Sequence, residues 1–433
     1  MTIDSSRKGI VRWREFLPWF FGFAILGTPL IWSGHSSNLS ADEAAYYLPA
    51  VEQLRGKWPS LDLVADSRSA TAPGYPYLLA GVSQITGAEV WKLRSLTWLV
   101  SAGVLAVGWR VLRSSGHPHA LWALAPLTLS NFFVKSSGFV VTDNAALLFV
   151  SIALAALFFQ SQVRSHWTAA VATALAVTVR QTAIWITAPA LWSIWRDRGK
   201  PRRSARLAAW LLPIVPLGVL IAAWRGLVPP IWRAEQYATN GITVTSLLYL
   251  ALVLLTLGAP FYAALCTREE LRNDLRSPLV RGLMLAGLAL VVLGNSAPNF
   301  ETGHWGGYWW NLAARLPVFG SVSLLFLVCV PFGFGLFGAL ARRLSEHAAR
   351  PTAELWCMAF AAWAATTCAN RLIFHRYFEP TTLVFLICWL ALVLRANPST
   401  PVRRLPFLAL TAIQSSLTLI TTHAQAYGWV RFG

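Results

Sequence analysis

Asp42 and Glu43 stand side by side in Ser40-Ala41-Asp42-Glu43-Ala44-Ala45-Tyr46-Tyr47, shortly after an apolar run that ends at Trp32. Paired acids at such a boundary suit proton transfer, because an ionised carboxylate can take the proton from an attacking hydroxyl. A sugar transfer with inversion needs one such base. Where the leaving group is a phosphate it needs no acid, since a phosphate departs unprotonated, but cations must then hold that phosphate. Ser40 and Glu43 also fit a capping box, Ser-x-x-Glu, in which Glu43 folds back on the Ser40 amide and opens a short helix. That places Asp42 in the first turn, where free amides and the helix dipole favour its anion.

The cations that could grip a phosphate come from two segments. Arg180-Gln181-Thr182 interrupts an apolar stretch, and Asn370-Arg371-Leu372-Ile373-Phe374-His375-Arg376-Tyr377-Phe378-Glu379-Pro380 brings Arg371, His375, Arg376 and Tyr377 to a membrane boundary. The late segment offers donors for a phosphate, or it simply snorkels to lipid headgroups. Asp143, in Thr142-Asp143-Asn144, opens another apolar run and reads either as a helix N-cap or as a substrate contact. Tyr46 and Tyr75 join Asp143, Arg180, Gln181 and the late loop as substrate-binding candidates. Glu301-Thr302-Gly303-His304, with Trp305, Tyr308, Trp309 and Trp310, reads as an aromatic interface belt or sugar-stacking surface; one His and one Glu make a weak metal pair.

The elements that must hold these residues are membrane helices. Of 433 residues, 56% are hydrophobic and 12% charged, about half the charged share of a soluble domain. Apolar runs long enough for a bilayer core recur throughout, leaving one domain over residues 1–433. The expected spans number about eleven: Phe16–Trp32, Leu93–Val111, Ala120–Val134, Asn144–Gln160, Leu207–Trp224, Ser246–Cys266, Gly282–Leu293, Pro317–Ala341, Glu354–Thr367, Thr381–Leu394 and Leu405–Thr422. The net charge of +18 sits in short clusters between those runs and not on a polar helix face, which excludes nucleic acid. Cys266, Cys329, Cys357, Cys368 and Cys388 lie in or beside apolar segments without CxxC spacing, so they read as core residues. The basic N-terminus leads into a run too long for a signal h-region and without an A-x-A site, hence a first membrane helix.

Trp167–Trp195 cannot be a single span without putting Arg196, Arg198, Lys200, Arg202, Arg203 and Arg206 on the outer side, against the excess of basic residues on the inner face. It therefore turns back as two half-helices meeting near Arg180-Gln181-Thr182. Arg180 is left deep in the bundle, where it requires an anion. The outer face then carries a first loop of about residues 33–91, with short interfacial helices around Pro73-Gly74, and smaller loops around Lys135–Asp143, Arg225–Asn240, Asn295–Arg315 and Asn370–Glu379.

At Asp42-Glu43 with Pro49 following, and at Thr71-x-Pro73-Gly74-x-x-Tyr77, the chain resembles the GT-C superfamily of polyprenyl-phosphate-sugar-dependent glycosyltransferases. Within it, Val179-Arg180-Gln181-Thr182 resembles the Arg-Gln-Thr-Asn signature of the dolichyl-phosphate-glucose α-1,2-glucosyltransferases, and bacterial relatives of that family are the nearest match. Ala183 replaces the Asn, and His375-Arg376-Tyr377-Phe378-Glu379 stands where the eukaryotic enzymes have Asp-Asn-Arg-His-Tyr. The resemblance implies an all-α, polytopic GT-C-like bundle with Asp42 as the base and Glu43 beside it. It also implies that Asp143 positions substrate and that Arg376 and Tyr377 lie near the donor phosphate. The expected activity is inverting transfer of a sugar, a hexose such as glucose, from a polyprenyl-phosphate donor to a hydroxyl of a glycolipid, lipid-linked glycan or surface glycan, without cofactor or metal. The expected setting is the bacterial inner membrane, among its lipids, with the N-terminus cytoplasmic and the site periplasmic. The alternatives are a protein O-mannosyltransferase or lipid A aminoarabinose-type transferase, and a lipid-linked glycan flippase or transporter.

Overall fold

The computed structural model of the chain describes residues 5–36, 39–60, 67–159, 163–197, 199, 202–234, 241–299 and 305–423. Asp62, Arg198, Lys200, Glu301 and His304 lie outside the described residues, as do the side chains of Arg7, Lys8 and Arg12.

The described chain is all-α apart from two-residue strand pairs. Trp305–Gly306 runs parallel to Ile373–Phe374, and Val318–Phe319 antiparallel to Val322–Ser323. Seven helices are long and apolar enough to cross a membrane, or up to nine if each of two bent pairs is one span. Two of the about eleven expected spans fall outside this measure: Glu354–Thr367, in the helix Arg350–Cys368, and Ala120–Val134. Ala120–Val134 is broken into a 3-10 turn at Ala120–Leu124 and short helices at Ala125–Thr128 and Asn131–Gly138. Pro126 sits in the first turn of one piece, and Ser130 caps the next by accepting from the Phe133 amide at 3.2 Å.

The helix Glu379–Ala396 is the centre of the bundle, with 89% of its apolar window buried. The first helix, Ser5–Trp32, and the helices near Arg203–Trp224 and Leu405–Thr422 are peripheral, each with 28% of the window buried. Ile25, Leu211, Leu285, Phe332 and Ile413 point outward from such helices, an apolar belt that water would penalise and lipid accommodates. Inside, small residues let backbones meet: a Cβ on Gly333 would lie 2.1 Å from the Ala251 carbonyl oxygen, so Leu324–His347 and Val244–Leu265 touch main chain to main chain.

The chain turns back at Arg180, as expected, though its first arm is a helix of 17 residues and not a half-helix. Val163–Val179 is helical, Arg180 is extended (φ −142°, ψ 110°), and the chain resumes as a 3-10 turn, Gln181–Ile186, and a helix, Thr187–Arg196. Both outer ends of the hairpin meet the same short stretch. Trp210 Nε1 donates to His166 Nδ1 at 3.3 Å, while Arg206 lies 3.7 Å from Asp197. Arg180 is thus the apex, at the opposite end of the bundle. The arginines at the hairpin's base share their end with Arg113–Glu15, Arg196–Glu354 and Arg342–Asp274 ion pairs.

Candidate active site

The first loop is shaped by the capping box read from the sequence. Ser40 N donates to Glu43 Oε2 at 3.2 Å, and Glu43 N to Ser40 Oγ at 3.3 Å, opening a π-helical turn at Glu43–Tyr47 that runs into the helix Leu48–Arg55. Successive helical residues project about 100° apart, so the neighbouring acids face different surroundings. Glu43 is fully buried against fully buried Arg94. Arg94 Nε donates to Glu43 Oε1 at 2.9 Å and Nη2 to Oε2 at 2.6 Å; Val140 N adds a donor at 2.8 Å. Arg94 Nη1 donates to Leu30 O and Ser33 Oγ, so the pair bolts the loop to the end of the first helix. Asp42 keeps about a quarter of its side chain exposed and accepts a hydrogen bond from Arg376 Nη1.

Arg376 is held by its neighbours on both sides. The strand pair seats Ile373–Phe374 beside Trp305–Gly306, and His375 then turns inward. His375 Nε2 lies 2.8 Å from Glu379 Oε2, which also accepts from Tyr308 Oη at 2.7 Å. The other oxygen of Glu379 accepts from Ser130 Oγ and from the Phe132 amide at 3.3 Å. A carboxylate can only accept, so His375 carries its proton on Nε2, and the Tyr249 hydroxyl, 2.8 Å away, donates to Nδ1. Burial, and then the Glu379 charge, push the Tyr308 hydroxyl well above the usual phenol value, keeping it a donor. Arg376 projects from this buried scaffold towards Asp42. Nη2 donates to Tyr377 Oη at 3.0 Å, and Nε is buried without an acceptor among the described residues.

A second acid–cation pair lies beside the first. Arg180, at the hairpin apex, donates from Nη2 to Asp143 Oδ1 at 3.0 Å and from Nε to Thr142 Oγ1 at 3.2 Å. The anion that a deep arginine requires is therefore Asp143. Tyr47 Oη sits 3.1 Å from Thr142 Oγ1; burial raises its hydroxyl above the usual value, with Arg180 opposing, so it stays protonated. The Tyr377 ring carries Arg180 5.2 Å and Arg376 5.0 Å from its centroid, a phenol flanked by two guanidinium groups. Lys135 is within electrostatic reach of both Arg376 and Asp42. Lys135, Arg180 and Arg376 thus face Asp42 and Asp143, leaving one positive charge in excess.

Of the residues expected from the sequence, Asp42, Asp143, Arg180, Arg376 and Tyr377 come together, while Tyr46 packs edge-on to Trp232 at 5.2 Å. Others are spent elsewhere. Glu43 is enclosed in its ion pair, with no oxygen left for a substrate proton. Tyr75 is buried and donates to Thr97 Oγ1 at 2.8 Å, pinning the helix Gly74–Thr86 to Val90–Arg113 instead of facing substrate. Gln181 donates to Ala70 O at 3.3 Å and Leu227 O at 3.0 Å, and accepts from Ala72 N at 3.1 Å. It staples the first loop to the hairpin, where Gly74 lies so close to Thr178 that a Cβ would approach the carbonyl oxygen to 2.5 Å. His375 is buried in the Glu379 network, and Arg371 is exposed against Gly241. Trp310 is core, stacked on Tyr249, Trp305 and Phe326, and not a sugar platform.

Sequence reasoning passed over Arg94, Lys135, Glu379 and Tyr47, and set Tyr308 in an aromatic belt or sugar-stacking surface instead of the Glu379 network. Three of them left a signal. Arg94 is a charge inside the expected span Leu93–Val111, Lys135 a lone cation following an apolar run, and Glu379 an acid four residues after His375. Among the described residues no group of three or more His, Cys, Asp or Glu side chains is placed to hold a metal ion.

No protein-family model matches the chain, and no curated protein matches it. Among solved structures the chain is similar to ArnT from Cupriavidus metallidurans in the apo state, at 13% identity and a TM-score of 0.41, over 91% of this chain and 79% of that one. It is similar also to ArnT from Cupriavidus metallidurans bound to undecaprenyl phosphate, at 12% identity and a TM-score of 0.40, over 88% of this chain and 78% of that one.

Proposed function

We propose that the chain is an inverting, membrane-embedded glycosyltransferase that takes its sugar from a polyprenyl-phosphate donor. The observation that carries this reading is the meeting of Asp42 with Arg376, Arg180 and Lys135 at one end of an apolar helical bundle. A carboxylate with partial access to solvent, beside an excess of positive charge, has what this transfer needs and little that another reaction would use.

The acceptor hydroxyl oxygen attacks the anomeric carbon and its proton passes to Asp42. The bond from that carbon to the phosphate oxygen breaks, and the electron pair leaves with the phosphate. The leaving phosphate gains negative charge, which Arg376, Arg180 and Lys135 meet in a site screened from bulk water. Asp143 fixes Arg180, and protonated Tyr47, through Thr142, supports the same arginine. Glu43 holds the loop that presents Asp42. In this reading the arginine-rich end faces the cytoplasm and the site faces the periplasm of a bacterial inner membrane. The resemblance of Arg180-Gln181-Thr182 to the glucosyltransferase signature favours a hexose such as glucose moved to a glycolipid or glycan hydroxyl.

The test is transfer by purified protein in lipid, with labelled polyprenyl-phosphate sugars and separate glycolipid, glycan and peptide acceptors. Wild type should consume the donor and invert the anomeric centre. Asp42→Asn should lower kcat by about 10²–10⁴-fold, the usual share of a general base. Near-normal turnover by that variant removes Asp42 from the mechanism. Movement of labelled lipid across vesicles without its consumption replaces the enzyme by a carrier.

A further inference from the structure

In the structure Asp42 and Arg376 neutralise each other. On the proposed reading neither is ready to work: the base has a cation on the oxygen that must receive a proton, and the phosphate-binding arginine is already occupied by a carboxylate. We infer that the Asp42–Arg376 pair is a donor-operated latch, in which the phosphate of the lipid donor displaces Asp42 from Arg376 and so releases the base only once the leaving group is held. The inference rests on the proposed function and adds an order to it.

Four observations carry it. The two side chains are each about a quarter exposed, so an anion can reach the pair and compete for it. Arg376 cannot retreat, because His375 and Phe374 on one side are tied to Glu379 and Trp305–Gly306 and its guanidinium is stacked near Tyr377. Its buried Nε has no acceptor among the described residues, which leaves the guanidinium under-satisfied, and the exposed part of the fork suits a phosphate as well as a carboxylate. Finally Lys135 lies within electrostatic reach of both partners, so Asp42 leaving Arg376 stays in a cationic field. After transfer Asp42 holds the acceptor's proton and cannot reclaim Arg376 until it loses that proton, so the product phosphate keeps its place until the base resets.

The arrangement predicts competition that binding can measure. The probe is a sugar-free polyprenyl monophosphate in detergent, with the polyprenol and inorganic phosphate as separate arms, against wild type, Asp42→Asn, Arg376→Gln and the double variant. Asp42→Asn should bind the lipid phosphate about two- to fivefold tighter, since it removes an ion-paired competitor worth about a factor of five at most in a part-exposed site. That gain should shrink to less than half in the Arg376→Gln background, because the competitor acts through that arginine. No gain in Asp42→Asn, or an equal gain in both backgrounds, overturns the latch: the second result would mean simple charge repulsion. Lipid phosphate binding that ignores Arg376→Gln altogether, or equals polyprenol binding, overturns the proposed function itself. Gain for inorganic phosphate but not for the lipid overturns the lipid as the latch's operator. Thermal unfolding of each variant identifies any that has lost its fold, and Asp42→Glu, which keeps the competing charge, must then stay near wild-type affinity.

Discussion

Replacing Glu43 with Gln takes one negative charge from a place that water does not reach. The carboxylate accepts from Arg94 Nε at 2.9 Å, Arg94 Nη2 at 2.6 Å, Val140 N at 2.8 Å and Ser40 N at 3.2 Å. A glutamine leaves one acceptor oxygen and turns an NH2 towards donors. Arg94, also fully buried, then loses the charge opposite it and at least one of its two carboxylate acceptors, while keeping Leu30 O and Ser33 Oγ. Removing one partner of a buried pair costs about 3–5 kcal/mol. Glu43→Gln should therefore lower thermal stability in detergent by several degrees and reduce the yield of folded protein, with activity per folded molecule falling less than in Asp42→Asn. Glu43→Leu with Arg94→Met removes both charges and should recover most of that loss. It should still lack about 1–3 kcal/mol for the stranded Val140 and Ser40 amides. The measurements are a tryptophan-fluorescence melt and turnover normalised to folded protein. A Glu43→Gln protein with the wild-type melt and no turnover would refute the reasoning, and would move Glu43 from anchor to chemistry.

Gly333→Ala should cost about 1–3 kcal/mol, because the new methyl group meets the Ala251 carbonyl and the two helices must part; unchanged melting would contradict that contact. Gln181→Ala should free the first loop from the hairpin, seen as faster proteolysis within residues 67–73 and a severalfold higher KM for donor with kcat nearly kept; a loss confined to kcat would put Gln181 in the chemistry. Glu379→Gln should destabilise by about 1–3 kcal/mol and raise the donor KM about tenfold or more, since the turn that aims Arg376 loses its tie to His375 and Tyr308. A stability loss without a change in KM would make that network merely structural.

What could be read from the residues was what one segment decides alone. The capping box at Ser40–Glu43, the turn-back at Arg180 and the gathering of acids and cations at one face each follow from local spacing or from the distribution of arginines. Which partner a charge selects was not legible. Arg94 is 51 positions from Glu43, and choosing it over Asp42 depends on how far two helices rotate about their own axes. Tyr75 carries the same side chain as Tyr46, yet one is buried against Thr97 and the other packs edge-on to Trp232, a difference of helix face within one loop. The His375–Glu379 spacing was visible. Its direction, inward to Tyr249 and Ser130, is set by helices far away in sequence.

Both members of the latch sit one residue from a buried anchor: Asp42 next to Glu43, and Arg376 next to His375. Backbone movement at either place would tear a filled set of hydrogen bonds, and Arg376 is held against Tyr377, so the pair can part only by rotation of the Asp42 side chain. Such rotations take picoseconds to nanoseconds, against microseconds or longer for loops and lids. Charging of this site by a lipid phosphate would then proceed in a single fast phase whose rate rises linearly with donor concentration, with no plateau to betray a slower opening beforehand.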